Sequence, residues 1–179
     1  HTSTLPPLLQ TNYDTSPATD DTRLRVCRDQ AYLYLSARTT LTPTTREPGH
    51  TRGRDAPRIT SDDRLELFLT GHHDRYYHLV FSATNSLLDQ EILYEQETTG
   101  PNAGRFTRFA RLVNWNCVGL QSAVHTDGST RTFELALPLT HFGTADRHNW
   151  KFNVARGLPT QPASSYSPLV GSLHQPTLF

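Results

Sequence analysis

Along much of the chain apolar and polar residues alternate in short runs with a period of two. "TRLRVCR" (22–28) sets Leu24 and Val26 on one face, and "QAYLYLSAR" (30–38) sets Leu33 and Leu35 against Tyr32 and Tyr34. "RLELFLT" (64–70) groups Leu65, Leu67 and Leu69 opposite Glu66. "RYYHLVFSA" (75–83) sets Tyr77, Leu79 and Phe81 against Tyr76, His78 and Val80. "TRTFELALPL" (130–139) aligns Phe133, Leu135 and Leu137, and "NWKFNVA" (149–155) aligns Trp150, Phe152 and Val154. Side chains change sides at each step along a strand, so this period predicts strands rather than helices. A helical turn is expected only near "LTHFGT" (139–144).

Turn-forming residues separate the runs at "RDQ" (28–30), "TGHHD" (70–74) and "TDGS" (126–129). Short strands punctuated in this way predict an all-β fold, an antiparallel β-sandwich. Residues 1–20, rich in Pro, Thr and Ser, read as an extended or loop-like segment ahead of one domain over 21–179. "TTLTPTTREPGHTRGRDAPRIT" (39–60) has no periodicity and is expected to be a long exposed loop, with a second at "QETTGPNAGR" (96–105). Loops of such length tend to be functional or mobile.

Composition narrows the function classes. Seventeen basic and 17 acidic residues give a formal net charge of zero. That balance offers no electrostatic footprint for nucleic acid or an anionic membrane. No apolar run approaches a membrane span, and no signal peptide is visible, so a soluble, processed or excised chain is expected. Cys27 and Cys117 both fall in strand-like runs, and their spacing leaves a bridge and two free thiols equally open.

Catalytic and metal signatures are weak. A nucleophile elbow, a phosphate-cradling glycine loop and a His-Glu-x-x-His helix are all missing. Asp62, Asp63, Glu66 and Glu134 are the carboxylates that could pair as acid and base. Adjacent His72 and His73 point opposite ways if extended, and His78 lies further along; solvated histidines are the simpler reading. A free N-terminal His1 could chelate copper with its amine and imidazole, given a second histidine. Calcium could draw oxygen ligands from Asp62 and Asp63, or from Asp20 and Asp21, though such pairs also serve as caps.

Two residue sets suit a sugar. Trp115 stands between Asn114 and Asn116, an indole beside planar amides. The C–H face of a sugar stacks on aromatic rings while its hydroxyls need such donors and acceptors; a core tryptophan is the competing reading. Asn153 and Lys151 leave the face that Trp150 shares with Phe152 and Val154, and Arg156 returns to it.

Several stretches, in order, resemble the family 9 carbohydrate-binding modules. They are "TRLRVCRDQAYLYLSAR", the Asp-Asp-x-x-Glu-x-Phe segment of "SDDRLELFLTGHHDRYYHLVFSATNSLLDQ", the Glu-x-x-x-Pro strand of "TRTFELALPLTHFG", the Trp-x-Phe-Asn-x-x-Arg strand at 150–156, and a final His-x-Pro-x-x-Phe. The resemblance spans 21–179 and implies a sandwich related to DOMON-like domains. It implies a non-catalytic module that binds oligo- or polysaccharide beside secreted degrading enzymes, often with structural calcium, at a secreted, periplasmic or cell-surface location. Glu66, Asn153 and Arg156 match positions that face or support the sugar. Arg131 stands where the family has a tryptophan, so Tyr166 with Trp115 or Tyr94 would supply the stacking pair. Related folds hold haem through methionine, and a chain without Met is not expected to do so. A structural or interaction domain of a larger secreted or cell-surface protein is the alternative.

Overall fold

The structure, a computed structural model, describes residues 2–4, 9–10, 22–43, 48–70, 74–96, 99–101, 106–142, 151–159 and 161–165. Twelve strands follow in chain order: β1 Thr2–Thr4, β2 Leu9–Gln10, β3 Thr22–Arg28, β4 Tyr32–Thr40, β5 Arg64–Thr70, β6 Arg75–Ser82, β7 Leu87–Gln96, β8 Phe106–Leu112, β9 Gln121–Asp127, β10 Thr130–Pro138, β11 Lys151–Leu158 and β12 Gln161–Ser165. They form a five-stranded sheet, β1-β3-β4-β10-β9, and a seven-stranded sheet, β2-β12-β11-β5-β6-β7-β8, with every pair antiparallel. The segment read as extended thus supplies the outermost strand on one side of each sheet, β1 and β2.

The period-two runs fall on β3 to β6, β10 and β11, and their apolar faces meet. Leu24, Leu35, Phe133 and Leu137 from the smaller sheet bury against Leu67, Leu79, Phe81 and Val154 from the larger one. Burying such side chains contributes about 1.5–3 kcal/mol each, which makes this layer the main stabilising element. The chain turns between β3 and β4 where Asp29 Oδ1 accepts hydrogen bonds from the Ala31 and Tyr32 amides, both at 2.7 Å. Gly128, at φ 56, lets β9 return as β10. The expected helical turn is a short 3-10 helix at Leu139–Phe142.

Two readings change. Residues 48–61 are not a free loop. Ile59, in a 3-10 helix at Pro57–Ser61, is fully buried against Val80 and Leu88 on the outer face of the larger sheet. Arg52 and Arg54 fasten the same stretch to Asp62 and Asp89, each at 2.6 Å. The larger sheet is therefore buried on both faces at β5 and β6, and their alternation separates the apolar inner layer from a second buried face, mixed in character, rather than from water.

Candidate functional site

The outer face of the larger sheet carries a cross-strand row: Asn153 on β11, Phe68 on β5, His78 on β6 and Gln90 on β7, in direct register. Glu66, two residues before Phe68, shares this face. Its Oε2 lies 2.8 Å from His78 Nε2, and its Oε1 accepts from Arg64 Nε at 2.6 Å. The His78 ring stacks on Phe68 with centroids 4.4 Å apart and planes 7° from parallel. Phe68, Tyr76, Ile92, Tyr94 and Ala155 form a second apolar cluster around this polar row. Gly157 pairs with Arg64, and a side chain there would collide with the Arg64 guanidinium, so the glycine clears the path by which Arg64 reaches Glu66.

Burial alone would raise the Glu66 carboxyl, but the hydrogen bond and charge of His78, with those of Arg64, outweigh it and hold the group at about 2. Glu66 is therefore a fixed carboxylate at any ordinary pH. Asn153 is 3% and Glu66 5% exposed, so both are held inside the covering of this face.

Arg156 lies on the other side of β11, between the sheets. It forms an ion pair with Asp63, reached also by Nη2 at 2.8 Å, and lies over the Phe133 ring at 5.3 Å. Arg131, on the opposite sheet, pairs with the same carboxylate. The expectation that Arg156 works alongside Asn153 is corrected: alternation sends the two to opposite faces, and Arg156 neutralises Asp63 inside the sandwich.

Asp62 and Asp63 do not fit calcium. Arginine side chains occupy both carboxylates, Arg52 on Asp62 and Arg131 with Arg156 on Asp63, and cancel the charge a divalent ion needs. Among the described residues no group of three or more His, Cys, Asp or Glu side chains gathers as metal ligands. The four carboxylates named as an acid–base set are dispersed or tied up: Glu66 and Glu134 occupy the outer faces of different sheets, Asp63 lies between the sheets, and Asp62 is bound by Arg52.

Trp115 does not join Asn153. It packs on the core through Tyr77, with ring centroids 4.8 Å apart, and meets His141 edge-on at 5.9 Å. Asn114 and Asn116 are exposed, and Asn116 Nδ2 donates to the Asn114 carbonyl. Tyr94 lies on the outer face, buried beside Tyr76. Tyr166, Trp150, His1, Asp20, Asp21, His72 and His73 lie outside the described residues. Both cysteines are free: Cys27 half-buried on β3, Cys117 in the core with its amide on Asp89 at 2.6 Å.

Sequence reasoning passed over Arg64, Gln90 and the partnership of His78 with Glu66. Register across three strands brings them together, and the one available signal was that Glu66 and His78 each interrupt the outward face of an apolar strand.

No family model matches the chain, and no curated protein does. Among solved structures it is similar to a candidate carbohydrate-binding protein of Bacteroides uniformis, with 16% identity, a TM-score of 0.68, and 99% of this chain and 84% of that one covered. It is also similar to a family 9 carbohydrate-binding module of Caldicellulosiruptor kristjanssonii, solved with glucose and with cellotriose. Identity there is 10% and 11%, the TM-score 0.55 in both, and 89% of this chain and 73% and 71% of the other are covered. The chain has the fold of the family 9 carbohydrate-binding modules, an all-β antiparallel sandwich.

Proposed function

We propose that this domain is a non-catalytic carbohydrate-binding module that acts with secreted polysaccharide-degrading machinery. The observation that supports the reading is that Glu66, opposite Ala155, and Asn153, opposite Phe68, share one face of a sandwich whose fold is that of modules solved with glucose and cellotriose. In this reading the Asn153 amide donates to and accepts from sugar hydroxyls, while Glu66, held by His78 and Arg64, braces the same face. Both are immobilised before ligand arrives, which lowers the ordering cost of binding. No helix among the described residues is long and apolar enough to cross a membrane.

The test is a glycan-array screen of the domain followed by titration calorimetry on each hit. Asn153→Ala should weaken binding at least tenfold, the loss of about one to two hydrogen bonds. A folded protein silent across the array ends the reading.

A second reading, a structural or interaction domain of a larger protein, is favoured by one specific observation. Glu66, Asn153 and Arg156 are all at most 5% exposed, and each of the two charged groups is satisfied by another side chain. That array result would favour it.

A further inference from the structure

The outer face of the smaller sheet is built differently from that of the larger one. Two cross-strand rows lie side by side on it: Cys27, Tyr34, Ala136 and Gln121 in one, Arg25, Ser36, Glu134 and Ala123 in the other. The two central strands contribute the small side chains Ser36 and Ala136, while Tyr34, Arg25, Gln121 and Glu134 stand taller around them. The result is an open groove of about 510 Å³. That size falls within the range of roughly 300–1,000 Å³ common to small-molecule clefts.

A single exposed tyrosine on a sheet is ordinary. Tyr34, however, is 36% exposed and held in place. Its hydroxyl donates to Asp29 Oδ2 at 2.9 Å, and Asp29 is itself fixed by the two backbone amides of its turn. The Tyr32 ring lies 6.0 Å away and adds support. An aromatic surface that loses no freedom on binding suits the flat C–H face of a sugar. The groove also presents a primary amide, a carboxylate and a guanidinium, which are the planar groups that pair with hydroxyls. The charges of Arg25 and Glu134 cancel, so the lining favours a neutral ligand; Arg23 and Arg38 stand one row beyond it.

We propose that this groove is a carbohydrate site in its own right, on the sheet opposite Asn153, taking a neutral oligosaccharide with one ring stacked on Tyr34. It goes beyond the Glu66–Asn153 reading and stands whether or not that face binds sugar.

The experiment is an amide NMR titration of the whole domain with neutral gluco-, xylo-, manno- and galacto-oligosaccharides, and with an oligogalacturonide for comparison. At least one neutral sugar should shift the amides of Tyr34, Ser36 and Ala136, in wild type and in Asn153→Ala alike. Tyr34→Ala should weaken that response at least tenfold while the spectrum and thermal midpoint stay native. Tyr34→Phe, which keeps the ring but not its tether to Asp29, should fall between. Three results overturn the site: no shift at those amides with any neutral sugar, a shift indifferent to Tyr34→Ala, or a response confined to the acidic sugar and abolished by salt. Loss of shifts around Asn153 alone contradicts the other reading and leaves this one standing.

Discussion

Arg156 and Asp63 meet between the two sheets, with Nη2 to Oδ2 at 2.8 Å and both side chains at most 1% exposed. Arg131 reaches the same carboxylate from the opposite sheet and also donates through Nε to Thr126 Oγ1 at 3.1 Å. One carboxylate thus ties β10 of the smaller sheet to β11 of the larger. Removing one member of such a cluster leaves buried charge uncompensated, which costs far more than the cluster contributes over apolar packing. Asp63→Ala should destabilise the domain by about 3–5 kcal/mol in urea unfolding at neutral pH. A loss under about 1 kcal/mol would mean that the two guanidinium groups reach water.

Glu66 makes stability depend on acid. Its folded carboxyl lies at about 2 against an ordinary 4.5, so ionised Glu66 favours the folded state above 4.5. That contribution declines as pH falls from about 4.5 through about 2, and is on the order of 3 kcal/mol. Glu66→Gln should be less stable than wild type at pH 7 and lose less stability between pH 5 and 2. Parallel pH curves for the two proteins, from denaturant unfolding, would show that His78 and Arg64 do not hold the carboxylate.

The two cysteines should behave as unlike, separate thiols. Burial pushes the Cys117 thiol up to about 12, while Cys27 is half-buried on the outer face of β3. Since the thiolate is the reacting form, a maleimide near neutral pH should add to Cys27 once per native chain and to Cys117 only after unfolding. Mass spectrometry reads both steps, and an unlabelled native protein two mass units lighter would reveal a disulfide instead.

Trp115 packs against the core through Tyr77. Trp115→Ala should lower stability by about 2 kcal/mol, less than for a fully buried ring, through loss of the contact with Tyr77. Glycan affinity should stay within twofold of wild type. A tenfold loss of affinity at unchanged stability would return Trp115 to the binding surface.

How far the sequence could be read follows from what alternation does and does not encode. Leu65, Leu67 and Leu69 declared both the strand and its core face, because a period of two leaves one arrangement that buries all three. Alternation also separated Asn153 from Arg156. It could not disclose that Arg156 meets Asp63, since that contact depends on strand pairing and on packing of one sheet against the other. β7 went unread because Asp89 and Glu91 occupy its core-facing positions, where Arg54 and Arg75 satisfy them. The loop expected at 39–60 looked exposed for a related reason: its arginines are polar by composition, and the carboxylates that hold Arg52 and Arg54 at 2.6 Å lie 10 and 35 positions further along the chain. Alternation places Tyr34 outward but does not encode its tether, the hydrogen bond its hydroxyl donates to Asp29, five residues earlier.

Sugar binding by this sandwich is decided by the glycan-array screen, run with and without EDTA. Binding of a defined glycan that resists EDTA and weakens at least tenfold in Asn153→Ala is the predicted result. A well-folded protein that binds nothing on the array, in either condition, would contradict the claim and leave the sandwich as a structural or interaction domain.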